Sequence, residues 1–252
     1  MKSAILKILL LSLAILCQPA LARELKIVFL KYTPPYVLDE SRGIAIDLMR
    51  EALRPSGYEI VPIALPIGKG FDLFAKGRAD GIANIMKSTD LPVYYSDDFI
   101  RYHNKAFALK SRSLRINSVA DLKGQERIIA FQSARKYLGK EFGRAMIGNY
   151  SYREMSNQEK QAYMLLKGDA DIAIMDESVF QFFRGKLIAE GKVPENVEVD
   201  TFTIFPPTTF KAAFLERAVR NDFDRGLAAL RRNGRFTAIY REYVEEYFGV
   251  RQ

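Results

Sequence analysis

The chain has 252 residues, a formal charge of +8 at neutral pH, one cysteine, one histidine and no tryptophan. A single cysteine excludes an internal disulfide framework, and no cluster with metal-ligand spacing is present, so zinc and haem are not supported and no cofactor is expected. The lysines and arginines are scattered; "RRNGR" at 231–235 is their densest group and reads as a solvated helix end rather than a nucleic-acid motif.

Residues 1–22 have the form of a secretory signal peptide. Lys2 and Lys7 give a basic start, Ile8 to Ile15 is almost wholly apolar, and Ala20-Leu21-Ala22 is an A-x-A cleavage signal. Leu16, where a lipoprotein needs a small residue, weighs against lipidation of Cys17. Removing 22 residues leaves 230, a charge of +6, no cysteine and no second apolar run long enough to span a bilayer, in the periplasm.

From residue 24 onwards apolar runs alternate with helical periods. Leu25–Leu30 reads as a buried strand, 44–53 as an amphipathic helix, 58–63 as a strand, 71–75 as helix and 81–85 as a strand. The order then repeats: a strand at 105–109, a capped turn in "SVADLKG", a strand at 127–131, a helix opened by Ser133, a helix at 158–166 and a strand at 172–175. "KGRADGIANIM" (76–86) and "KGDADIAIMDE" (167–177) use one device twice, a helix stopped by glycine, an acidic turn and an apolar strand. Helical segments from about 215 to 248 close the chain. This pattern predicts α/β layers with mainly parallel sheets in two lobes, and a cleft between them as the ligand site.

In "YTPPYV", "GIAIDLMREAL", "KGRADGIANI", "YYSDDF", "SVADLKG" and "KGDADIAIMDE", taken in that order, the chain resembles the exported solute-binding proteins of the amino-acid-binding type that serve ABC importers. The resemblance covers essentially the whole chain after the signal. It implies a type II, periplasmic-binding-protein-like fold: lobe 1 from 23–108 and 206–252, lobe 2 from 109–205, and two crossing hinge strands around 106–110 and 205–210. It also implies closure on a small polar solute, an amino acid or related organic acid, by a monomer that meets a membrane permease. A receptor that reads the closed form is the alternative partner, and neither nucleic acid nor a metal is implied.

The resemblance places Tyr32 and Tyr36 in the cleft, held by Pro34 and Pro35; core packing is the rival reading. Asn84 falls where the family presents hydroxyl groups, and Thr89 where it places the arginine that forks onto a ligand carboxylate. Loss of that fork removes a charge-assisted bond of roughly 1.5–3 kcal/mol. Lys87, Arg101 and Arg135 are three cations that can compensate, Lys87 first because it sits in the same loop, with Gln132 and Ser133 at a helix start that favours anions. Asp176 matches the family's aspartate for the ligand's amino group, and equally suits an N-cap before "ESVFQFF".

No catalytic residues are expected. His103 has no nucleophile motif around it, and "PIGKGFD" lacks the spacing of a phosphate loop. A dehydratase acting on cyclohexadienyl acids is the enzymatic alternative on this scaffold, with Asp176 or Glu177 as its acid.

Overall fold

The computed structural model describes residues 22–31, 33–86, 92–125 and 127–248. Two sheets organise them. The first is built from β1 (Arg23–Leu30), β2 (Tyr58–Leu65), β3 (Gly81–Ile85) and β4 (Tyr94–Tyr95), completed by β5 (Ile100–Tyr102) and by the late strand Thr208–Phe214. The second is built from β6 (Asn104–Leu109), β7 (Ile128–Phe131), β8 (Arg153–Met155), β9 (Ile172–Asp176) and β10 (Val199–Phe202). The late strand is β11. Spatial order is β2-β1-β3-β11-β4 in one sheet and β10-β6-β9-β7-β8 in the other.

Each sheet is mixed rather than mainly parallel. β1 runs parallel to β2 and β3, and β7 parallel to β8 and β9, whereas β11 and β6 enter their sheets antiparallel. The parallel strands carry apolar side chains on both faces, as burial under helices requires: all five residues of β3 and all five of β9 are buried.

The helices are α1 (Ile44–Leu53), α2 (Ile67–Ala75), α3 (Ala134–Tyr137), α4 (Gly139–Ala145), α5 (Gln158–Leu166), α6 (Glu177–Ala189), α7 (Arg217–Arg232) and α8 (Arg235–Phe248). In α7 the apolar positions Val219, Phe223, Leu227 and Leu230 recur at helical spacing and are buried. Each such side chain contributes roughly 1.5–3 kcal/mol relative to exposure. The helix lies against α1 so closely that a Cβ on Gly226 would stand 1.9 Å from the carbonyl oxygen of Ala52. Glycine there permits backbone-to-backbone packing.

The repeated glycine-acidic device has one structure in both halves. After α2, Gly77 (φ 67°) donates to Phe74 O at 2.9 Å and Arg78 to Leu73 O at 3.1 Å; after α5, Gly168 (φ 79°) donates to Leu165 O at 2.9 Å and Asp169 to Met164 O at 2.8 Å. These are Schellman caps, which need a left-handed residue after the helix. Each is followed by an aspartate that clips the next strand to its neighbour. The Asp80 carboxylate accepts the Lys26 N–H at 2.8 Å, and Asp171 accepts the Arg127 N–H at 3.2 Å.

The chain leaves the first sheet after Tyr102 and enters the second at Asn104, returning between Phe202 and Thr208. The expected crossing at 106–110 therefore lies inside the second sheet, where Ala106 pairs with both Ile174 and Phe202. On the return path, Thr208–Phe210 pairs antiparallel with Tyr102–Ile100 and makes a two-stranded ribbon between the halves. One apolar cluster takes residues from both sides of this ribbon, Leu25, Tyr36 and Phe99 with Phe107, Met175 and Phe180, while two smaller clusters fill the outer faces of the sheets.

Candidate functional site

The loop after β1 is fixed from several directions. Ile44 and Ala45 donate their N–H groups to the carbonyls of Pro35 and Tyr36, each at 3.0 Å, and Thr33 bridges to Val37. Gly43 (φ 149°) has no room for a Cβ, which would lie 2.3 Å from the Tyr36 carbonyl oxygen, and its N–H donates to the Tyr243 hydroxyl at 2.9 Å. The Pro34-Pro35 bond is cis.

This loop drives the Tyr36 ring into the junction, where it is buried. It stacks on Tyr102 with centroids 4.3 Å apart and takes Tyr240 edge-on at 6.4 Å. Phe210 continues the series against Tyr102 at 4.7 Å, and Tyr137 follows against Phe210 at 6.3 Å. A column of aromatic rings thus passes from the first half, across the ribbon, to α3 of the second half. Such ring pairs add about 0.5–1.5 kcal/mol each beyond their buried area.

At the end of β9 the Asp176 carboxylate is buried and bonded by protein donors on both oxygens. Oδ1 accepts the Val179 N–H at 3.1 Å and the Tyr36 hydroxyl at 3.3 Å, and Oδ2 accepts the His103 N–H at 2.7 Å. Asp176 is the N-cap of α6 and at the same time clasps the chain where it changes sheets. Desolvation pushes its pKa up to about 7, against the pull of the N–H bonds from Val179 and His103. Burial, followed by the charge of Asp176, raises the Tyr36 phenol well above its ordinary value.

Of the other residues expected in the site, Asn84 ends up buried in the left-handed region (φ 58°), with the Tyr102 hydroxyl facing its side chain and no hydrogen bond of standard geometry to either amide atom among the described residues. Leaving a buried amide under-bonded costs about 1–3 kcal/mol, which makes it a natural place for a polar ligand atom. Gln132 and Arg135 are exposed and Ser133 is half-buried at φ 65°. The anion expected at this turn is supplied by the protein itself: Glu154 accepts the Ser133 N–H at 2.7 Å, the Arg135 N–H at 3.0 Å and the Tyr152 hydroxyl at 2.9 Å. The Arg135 guanidinium lies over the Tyr152 ring at 4.7 Å. Arg101 is exposed, 3.9 Å from Asp98. Tyr32, Lys87 and Thr89 lie outside the described residues.

Three contributors went unnoticed in the sequence. Tyr102 and Phe210 sit on facing strands of the ribbon, and Tyr240 follows Phe236 at helical spacing on α8. Alternation in "IRYHN" and the F-x-x-x-Y pair were the available signals. Beside Tyr36 the junction holds a cavity of about 630 Å³, walled by Tyr36, Phe99, Phe236 and Tyr240. Among the described residues no helix is long and apolar enough to cross a membrane, and no three metal-binding side chains cluster.

Solved structures of similar fold superpose over about nine-tenths of the chain. A histidine kinase sensor domain with similarity to periplasmic binding proteins superposes with a TM-score of 0.69 at 17% identity, over 90% of this chain and 98% of that one. This is a periplasmic-binding-protein fold. The GluR0 ligand-binding core from Nostoc punctiforme in complex with L-glutamate shares the fold, with a TM-score of 0.64, 18% identity and 89% and 99% of the two chains. So does an ABC uptake transporter substrate binding protein from Streptococcus pneumoniae with bound histidine, with a TM-score of 0.65, 17% identity and 90% and 93% coverage. No family model and no curated protein matches the sequence.

Proposed function

We propose that this periplasmic-binding-protein fold works as an exported solute-binding protein that captures a small polar solute, an amino acid or related organic acid, without chemistry. The observation that carries the reading is the junction itself. Two sheet-centred halves meet through two chain crossings, near 103 and at 203–207, and the buried amide of Asn84, beside the Tyr102 hydroxyl at the end of β3, makes no hydrogen bond of standard geometry among the described residues. Two crossings are few enough to act as a hinge, and a hinged pair of lobes with an under-bonded buried amide has a reason to close on a ligand. Neighbours in complex with glutamate and with histidine support a zwitterionic solute.

In this reading the apolar start of the sequence is a cleaved export signal, the protein acts in the periplasm, and an ABC importer's permease receives the loaded, monomeric form. The sensor-domain neighbour supports the second reading, in which a membrane receptor reads the closed form instead. Asp176, buried with both oxygens held by protein donors, contributes indirectly by fixing the crossing.

A thermal-shift screen over amino acids and small organic acids tests the proposal. A solute at about 100 times its dissociation constant adds roughly 2.7 kcal/mol of stability, a clear rise in melting temperature. Asn84→Ala is expected to diminish that rise. A screen in which no amino acid or organic acid shifts the transition overturns the assignment.

A further inference from the structure

The cavity beside Tyr36 has a second set of walls that the solute-binding reading does not use. Arg101 and His103 project from the same face of the strand leading to the crossing, and Arg231 reaches in from the last turn of α7. The Arg231 guanidinium is held in place by the carbonyls of Asp98 and Phe99 and lies 5.1 Å from the Phe236 ring centre. Asp98, the acidic residue in the wall, is already answered by Lys211 at 3.0 Å and Arg101 at 3.9 Å. The local balance is therefore cationic, with two guanidinium groups at the rim and the hydroxyl-bearing Ser178 and Thr237 nearby.

The apolar walls are rigid. Tyr36 is stacked on Tyr102, Phe99 is packed edge-on to Phe223 at 5.2 Å, and Phe236 and Tyr240 lie 5.3 Å apart on α8. Flat aromatic walls with a guanidinium rim suit a ligand with a planar apolar body and one carboxylate, because guanidinium forks match carboxylates and stack on rings. A volume of about 630 Å³ lies within the range of small-molecule sites.

We propose that this cavity is a binding site for an aromatic carboxylate, separate from the solute position at Asn84. Its walls come from both halves of the molecule: Ser178 opens α6 in the second, whereas Tyr36, Phe236 and Tyr240 belong to the first. An occupant therefore touches both halves and biases their closure. The site stands on its own geometry, so it survives or falls independently of which solute the lobes take.

Fluorine NMR titration of the folded protein with 4-fluorobenzoate, and with uncharged 4-fluorobenzamide as the control, tests the site. The carboxylate is expected to bind about tenfold more tightly than the amide, the effect of one charge-assisted contact. Arg101→Gln, at an exposed position that leaves the core intact, is expected to weaken the carboxylate about fivefold or more and leave the amide unchanged. Thr237→Trp, which fills the cavity from the exposed side of α8, is expected to abolish binding of both. The proposal is overturned if the carboxylate shows no binding at millimolar concentration, if both probes bind equally, or if Thr237→Trp leaves binding intact.

Discussion

Replacing Asp176 with asparagine removes a buried carboxyl while keeping its size. In the folded protein burial lifts the pKa from 3.8 to about 7, so folding favours the protonated form. A rise of that size corresponds to about 4 kcal/mol. The sign follows from proton counting: between pH 4 and 7 the native state binds more protons than the unfolded chain. The group's favourable contribution is complete below its unfolded pKa and is lost as pH rises through about 7. Wild-type stability relative to Asp176→Asn should therefore fall by about 1.4 kcal/mol per pH unit across that window and level off above it. Urea unfolding of both proteins from pH 4.5 to 8 measures the difference directly and cancels titrations elsewhere. A difference that is flat, or that grows with pH, would refute the dominance of desolvation; it would mean that the N–H groups of Val179 and His103 hold the carboxylate ionised.

Other perturbations read other parts of the molecule. Tyr36→Phe keeps the stack on Tyr102 and deletes the hydroxyl bonded to Asp176; a loss of about 1 kcal/mol, or about fivefold in the closed population, should appear as a larger radius of gyration in small-angle scattering. An unchanged radius would show that this bond does not hold the halves together. Gly226→Ala should destabilise by about 1–3 kcal/mol or more, because its methyl meets the Ala52 carbonyl, and a thermal melt equal to wild type would contradict the close contact of α1 and α7. Glu154→Gln weakens the bonds that hold Ser133 and Arg135, and faster hydrogen exchange at those two amides is the expected readout.

Much of the fold was legible because its strongest signals are local. Helices α1 and α5 occupy the residues that apolar periodicity marked, and the glycine stops at Gly77 and Gly168 take the left-handed conformations that helix termination demands. Strands β4, β5, β8 and β10 were not legible: they are two to four residues long and owe their existence to partners far away in the chain. The site was read less well for the same reason. Tyr36 was placed at the junction, yet whether it faces a ligand or packs there depends on Tyr102 and Tyr240, which are distant in sequence. Asp176 drew two readings, ligand contact and helix cap; the cap is present, and no local pattern foretold its bond to His103 at the crossing. The turn at Ser133 suggested an anion site, but Glu154, on a separate strand, supplies the anion.

The most direct measurement is single-molecule energy transfer between dyes on cysteines introduced at Lys69 and Lys140, exposed positions on α2 and α4, in protein lacking Cys17. With a solute found in the thermal screen, the account predicts a shift to shorter distance that saturates at the calorimetric affinity. A solute that binds tightly while the distance distribution stays fixed would contradict closure of the two halves around it.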